Sequence, residues 1–81
     1  MTIEQLNQEI ISVVHHSTES DIPIAPDTHL IRQMGLSSVE IMLLISDLED
    51  HFDISIPVSK LRNAQTVGDL AEFVIDGIRK R

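Results

Sequence analysis

The stretch Gly35-Leu36-Ser37-Ser38-Val39-Glu40-Ile41-Met42-Leu43-Leu44-Ile45-Ser46-Asp47-Leu48-Glu49-Asp50-His51-Phe52 carries a helix start signal, a core face and a second patterned face in eighteen residues. Ser37 is a good N-cap, and Glu40 three residues later completes a Ser-x-x-Glu capping box. The helix is therefore expected from Ser38 to His51, stopped by Asp53 and then Pro57. With Ser38 at zero and an advance of 100° per residue, Ile41, Leu44, Ile45, Leu48 and Phe52 fall between about 240° and about 340°, a core-facing stripe. Val39, Leu43, Ser46 and Asp50 fall between about 80° and about 140°, with Asp47 and Glu40 near about 180° to about 200°. This second stripe holds two aliphatic residues ringed by acids. Two readings stand: singly exposed aliphatics are ordinary, and an apolar centre with an acidic rim is a docking face for a basic partner.

Three further helical segments surround this one. Ile3, Leu6, Ile10, Val13 and Val14 recur at three- and four-residue steps, which predicts a helix over Ile3 to Ser17 opened by a Thr2/Gln5 capping box. A short helix is expected over Ser59 to Asn63. A last helix is expected over Val67 to Arg79, capped by Thr66, with Val67, Leu70, Ala71, Val74, Ile75 and Ile78 as its apolar stripe. Arg79, Lys80 and Arg81 put cations at its negative end. Between the first two helices, Thr18 to Ser37 holds Pro23, Pro26 and Gly35, which oppose helix. A single helical turn after Asp27 fits there. A connection that long in a small chain is functional or disordered. Its Ile22, Ile24, Leu30, Ile31 and Leu36 indicate that it packs over the core. Only Asp53-Ile54-Ser55-Ile56 alternates like a strand, and four residues make no sheet. The fold class is all-α: a small four-helix bundle with a long first loop and a short third helix, one domain over residues 1–81.

Composition narrows the function. The 81 residues include 13 Asp and Glu against 6 Lys and Arg, a net charge of −7, and no cysteine. Disulfides and thiolate metal sites are excluded. The charge repels phosphate backbones and anionic membranes, and no apolar run reaches the roughly 20 residues of a bilayer span. Met1-Thr2-Ile3-Glu4 lacks the basic start of a secretory signal, so a soluble cytoplasmic domain is expected. A chain this small rarely builds its own catalytic pocket.

No catalytic or metal constellation stands out. His15 and His16 point about 100° apart on a helix, poor chelating geometry, and with His29 and His51 they read as surface residues. No Gly-x-Ser-x-Gly elbow supports a hydrolase. Asp47/Asp50 and Glu49/Asp50/Asp53 lack the spacing of a Ca²⁺ loop and read as a solvated recognition face. The three Met residues read as packing, with Met34 a candidate for the lining of a cavity.

Gly35-Leu36-Ser37-Ser38-Val39-Glu40, then Leu48-Glu49-Asp50-His51-Phe52, then Ile56-Pro57, and finally Thr66-Val67-Gly68-Asp69-Leu70 resemble, in register, the acyl carrier proteins and their peptidyl carrier relatives. The match runs over about Ile3 to Ile78. The resemblance implies a 4′-phosphopantetheine arm held as a phosphodiester on Ser38 and ending in a thiol that carries acyl groups as thioesters. It also implies a phosphopantetheinyl transferase that installs the arm from coenzyme A with Mg²⁺. Acyl-transferring or condensing enzymes with basic docking patches would then meet Val39, Glu40, Leu43, Ser46, Asp47 and Asp50. The carrier would be a non-catalytic monomer serving fatty-acid, lipid or polyketide-type biosynthesis; a peptidyl or aminoacyl carrier, or an unmodified carrier-like module, is the alternative. Two departures matter. Ser37 replaces the family's Asp before the attachment serine, and Leu43 replaces a frequent Glu, which implies a dedicated partner set. Ser37 is a rival attachment site, but the spacing to Phe52 and the capping pattern favour Ser38.

Overall fold

The computed structural model describes residues 2–19 and 22–80. Three α-helices and one 3₁₀ segment follow in the order α1 (Ile3–Thr18), α2 (Ser38–Phe52), the 3₁₀ segment Val58–Asn63, and α3 (Val67–Arg79). The expected third helix is thus a 3₁₀ segment, begun behind Pro57, whose fixed φ opens it without a side-chain cap. Arg81 and Met1 lie outside the described residues.

Each α-helix begins on a reciprocal capping box: Thr2 with Gln5, Ser37 with Glu40, and Thr66 with Asp69. These boxes tie down backbone donors that have no partner inside a helix. Asp53 ends α2 in the left-handed conformation (φ 54°), where its N–H donates to the Glu49 carbonyl. The Glu49 carboxylate then accepts the Ile56 N–H at 2.8 Å. Glu49 is therefore half-buried and locally committed, rather than part of a solvated acidic face as expected.

The core collects Leu6, Ile10 and Val14 from α1, the whole α2 stripe of Ile41, Leu44, Ile45, Leu48 and Phe52, and Val67, Leu70, Phe73 and Val74 from α3. Ile78, expected in this core, is only half-buried at its edge. Ile3, expected on the apolar stripe of α1, is 61% exposed at the first position of the helix, although Leu6 in the same turn is buried. The Asp76 carboxylate of α3 binds Lys60 Nζ of the 3₁₀ segment at 2.7 Å and Lys80 Nζ at 3.0 Å. The Lys60 hydrogen bond, seconded by that of Lys80, holds this carboxyl below its ordinary pKa.

The long connection is built, not loose. The Leu30 N–H donates to the Gln65 carbonyl (2.8 Å), the Val67 N–H to Thr28 (3.0 Å) and the Gly68 N–H to Pro26 (2.7 Å). These three bonds stitch the loop to the start of α3 around an antiparallel His29–Thr66 bridge. Gly68 has no side chain for a reason: a Cβ there would stand 2.9 Å from the Pro26 carbonyl oxygen. Leu30 and Leu36 are buried, as expected for a loop lying over the core, whereas Ile31 is 53% exposed and turned away from it. The helical turn expected after Asp27 is present as a short hydrogen-bonded turn, in which the Gln33 N–H donates to the His29 carbonyl (3.1 Å) and the Gly35 N–H to the Ile31 carbonyl (3.0 Å), without extending into a regular helix.

Candidate functional site

The loop delivers the chain to α2 through Gly35, whose φ of +70° suits a residue without a side chain. Ser37 and Ser38 follow, and the helix gives them different work. Ser37 Oγ accepts the Glu40 N–H at 3.2 Å, and Glu40 Oε1 accepts the Ser37 N–H at 3.1 Å. Ser38 is the first helical residue. Its side chain is exposed, and its hydroxyl makes no hydrogen bond among the described residues. With the donors of Ser37 and Glu40 used by the box, the N–H groups of Ser38 and Val39 have no partner among the described residues and lie at the positive end of the α2 dipole. An anionic group held on Ser38 Oγ fits that corner.

Val39 and Leu43 are 64% and 61% exposed on α2, and Glu40, Ser46, Asp47 and Asp50 are exposed as well. The second stripe therefore faces solvent throughout. It is wider than the helical phase indicates, because Met42 is 52% exposed too. Met42 was expected in the packing. It sits at about 40° on the wheel, between Ser38 and the stripe, at an angle the neighbouring elements leave uncovered.

Ser38 also borders a cleft of about 460 Å³ between the long loop and the 3₁₀ segment. Ile31, Ile41, Leu61 and Ala64 give it apolar walls, and Arg32 and Arg62 line it as cations. Sequence reasoning missed this cleft, since its two sides lie some thirty residues apart and meet through long-range backbone hydrogen bonds around the His29–Thr66 bridge. Met34 packs half-buried against the core and is not part of the cleft lining.

His29 shapes the same wall. Its Nδ1 accepts the N–H groups of Ile31 and Arg32 at 3.2 and 3.1 Å, and its own N–H donates to Gln33 Oε1 at 2.6 Å. It is half-buried and structural, rather than a surface residue. His15 and His16 are exposed, and His51 Nε2 lies 2.7 Å from Glu9 Oε1, joining α2 to α1. Among the described residues no three metal-ligating side chains converge, and no helix is long and apolar enough to cross a membrane.

Residues 4–74 match the family model described as "Phosphopantetheine attachment site". An acyl carrier protein of Exiguobacterium sibiricum is 35% identical over 77 residues, spanning 91% of this chain and 95% of that one. A Caulobacter vibrioides protein assigned to the acyl carrier proteins is 36% identical over 55 residues, and the match spans 68% of this chain and 64% of the relative's length. A solved Mycobacterium tuberculosis structure with the same assignment superposes with a TM-score of 0.81 at 30% identity, covering 88% of this chain and 96% of that one.

Proposed function

Since the chain belongs to the acyl carrier protein family, whose function is to carry acyl groups on a covalent 4′-phosphopantetheine, we propose that Ser38 is the attachment residue and the exposed face of α2 the surface read by partner enzymes. When attached, the group supplies a terminal thiol that holds acyl cargo as a thioester, the thiol that a chain without cysteine lacks. The observation that carries the assignment is the division of labour between the two serines. Ser37 spends its hydroxyl on the Glu40 N–H, and Ser38 keeps an exposed hydroxyl with no such partner.

In this reading Ser38 Oγ gives up its proton and bonds to the phosphorus of the pantetheine-bearing phosphate, while the pyrophosphate P–O bond of coenzyme A breaks and 3′,5′-ADP leaves. The open Ser38 and Val39 amides and the dipole of α2 then stabilise the phosphodiester charge. Val39, Met42 and Leu43 form an apolar centre, with Glu40, Ser46, Asp47 and Asp50 as a polar rim of net negative charge. That pattern fits the basic docking patches of a phosphopantetheinyl transferase and of acyl-transferring or condensing enzymes. The chain itself acts as a monomeric, non-catalytic carrier in the cytoplasm.

Intact-mass and peptide analysis after incubation with coenzyme A and a transferase tests the attachment. The parent chain and Ser37→Ala should each gain one phosphopantetheine, and Ser38→Ala none. Modification that persists in Ser38→Ala would overturn the assignment.

A further inference from the structure

The chain carries few cations, and their placement is uneven. Lys60 and Lys80 are held by Asp76. Arg32 and Arg62 come from the long loop and the 3₁₀ segment, line the cleft that opens on Ser38, and form no ion pair with a carboxylate among the described residues. Arg79 at the end of α3 is outside the ion pairs of the described residues as well, whereas Arg32 and Arg62 share one cleft with the Ser38 hydroxyl, and in a chain of net charge −7 that placement calls for an anion. The acid in the first turn of α2, Glu40, already accepts the Ser37 N–H. Ser37 brings no carboxylate of its own to the corner.

We propose that Arg32 and Arg62 form an anion clamp for the phosphodiester on Ser38 and lay the pantetheine arm along the apolar walls of Ile31, Ile41, Leu61 and Ala64. This rests on Ser38 being the attachment residue. Guanidinium is the cation suited to the task, because its planar fork donates in pairs to phosphate oxygens and stays charged at any physiological pH. Both arginines are exposed, so a free phosphate would gain little from them. A phosphate tethered at Ser38 is present at high effective concentration, and the clamp closes without the cost of association. The carrier then has two arm states: parked in the cleft at rest, and released when a partner's own cations compete for the phosphate.

The test uses the whole chain, loaded from coenzyme A and mapped by mass spectrometry first. Loading should shift the Nε–H resonances of both Arg32 and Arg62 in ¹H–¹⁵N spectra. It should also raise the melting temperature, and that gain should fall by more than half in Arg32→Gln/Arg62→Gln. Raising the salt concentration should shrink the gain in the parent chain and leave the double variant unchanged. Loading that maps to another residue overturns the Ser38 assignment and the clamp together. Loading at Ser38 with both arginine resonances unmoved overturns the clamp alone, and that measurement needs no variant to fold or to be a substrate.

Discussion

Two adjacent serines of identical chemistry do unlike jobs because the helix begins between them. Ser37 lies in extended backbone (φ −83°, ψ 169°), from which its hydroxyl turns back onto the Glu40 N–H. Ser38, one residue on, has helical backbone and an exposed side chain. Replacing Ser37 by Ala strands the Glu40 donor and should cost about 1 kcal/mol in urea unfolding. Ser38→Ala removes no hydrogen bond and should stay within about 0.5 kcal/mol of the parent. Equal losses in the two variants would show that the cap is shared and that Ser38 is not free. This distinction was legible in the sequence, because a capping box is a local contract between residues three apart. Asp and Ser are both good N-caps, so Ser at position 37 in place of the Asp that the resemblance implies leaves the helix start intact.

At the scale of elements, legibility tracks how local each cause is. The bounds of α2 and α3 were predicted to within a residue by Ser37, Asp53 and Thr66, each acting on its own turn. The width of the exposed face was not, because helical phase ranks residues by angle and is silent on how far neighbours wrap around the helix. Met42 stands at the unwrapped edge, and Ile3 is exposed on the same first turn of α1 that buries Leu6. The acids of the face are separable from the fold, since Asp47 and Asp50 are exposed and make no hydrogen bond or ion pair within the described residues. Reversing both, Asp47→Lys with Asp50→Lys, should cut the transferase's kcat/KM roughly tenfold at low salt, with the loss narrowing as salt screens the steering. Helix content by circular dichroism should match the parent chain. A variant that unfolds would contradict the surface placement, and one modified at the parental rate would remove these acids from the docking face.

For the whole molecule, the site depends on a loop that behaves as core. The helices alone do not make the cleft beside Ser38; its second wall exists because residues 26–30 are hydrogen-bonded to residues 65–68. The sequence showed that this loop was long and carried buried-type residues, but not which strand-like contact it would make, since pairing across more than thirty residues leaves no periodic trace. Leu30 is the pin. It is fully buried, donates its N–H to Gln65 and accepts the Leu36 N–H at 3.0 Å. Leu30→Ala should therefore cost about 2–5 kcal/mol, as much as Leu48→Ala on the core face of α2. The neighbouring Ile31→Ala, at a half-exposed position, should cost well under that. In a domain whose total stability is of order 5–15 kcal/mol, a loss of that size lowers the urea midpoint steeply. A Leu30→Ala chain with the parental midpoint would mean that the loop opens independently of the bundle. The cleft would then be a transient surface, without the fixed walls that place Arg32 and Arg62 beside Ser38.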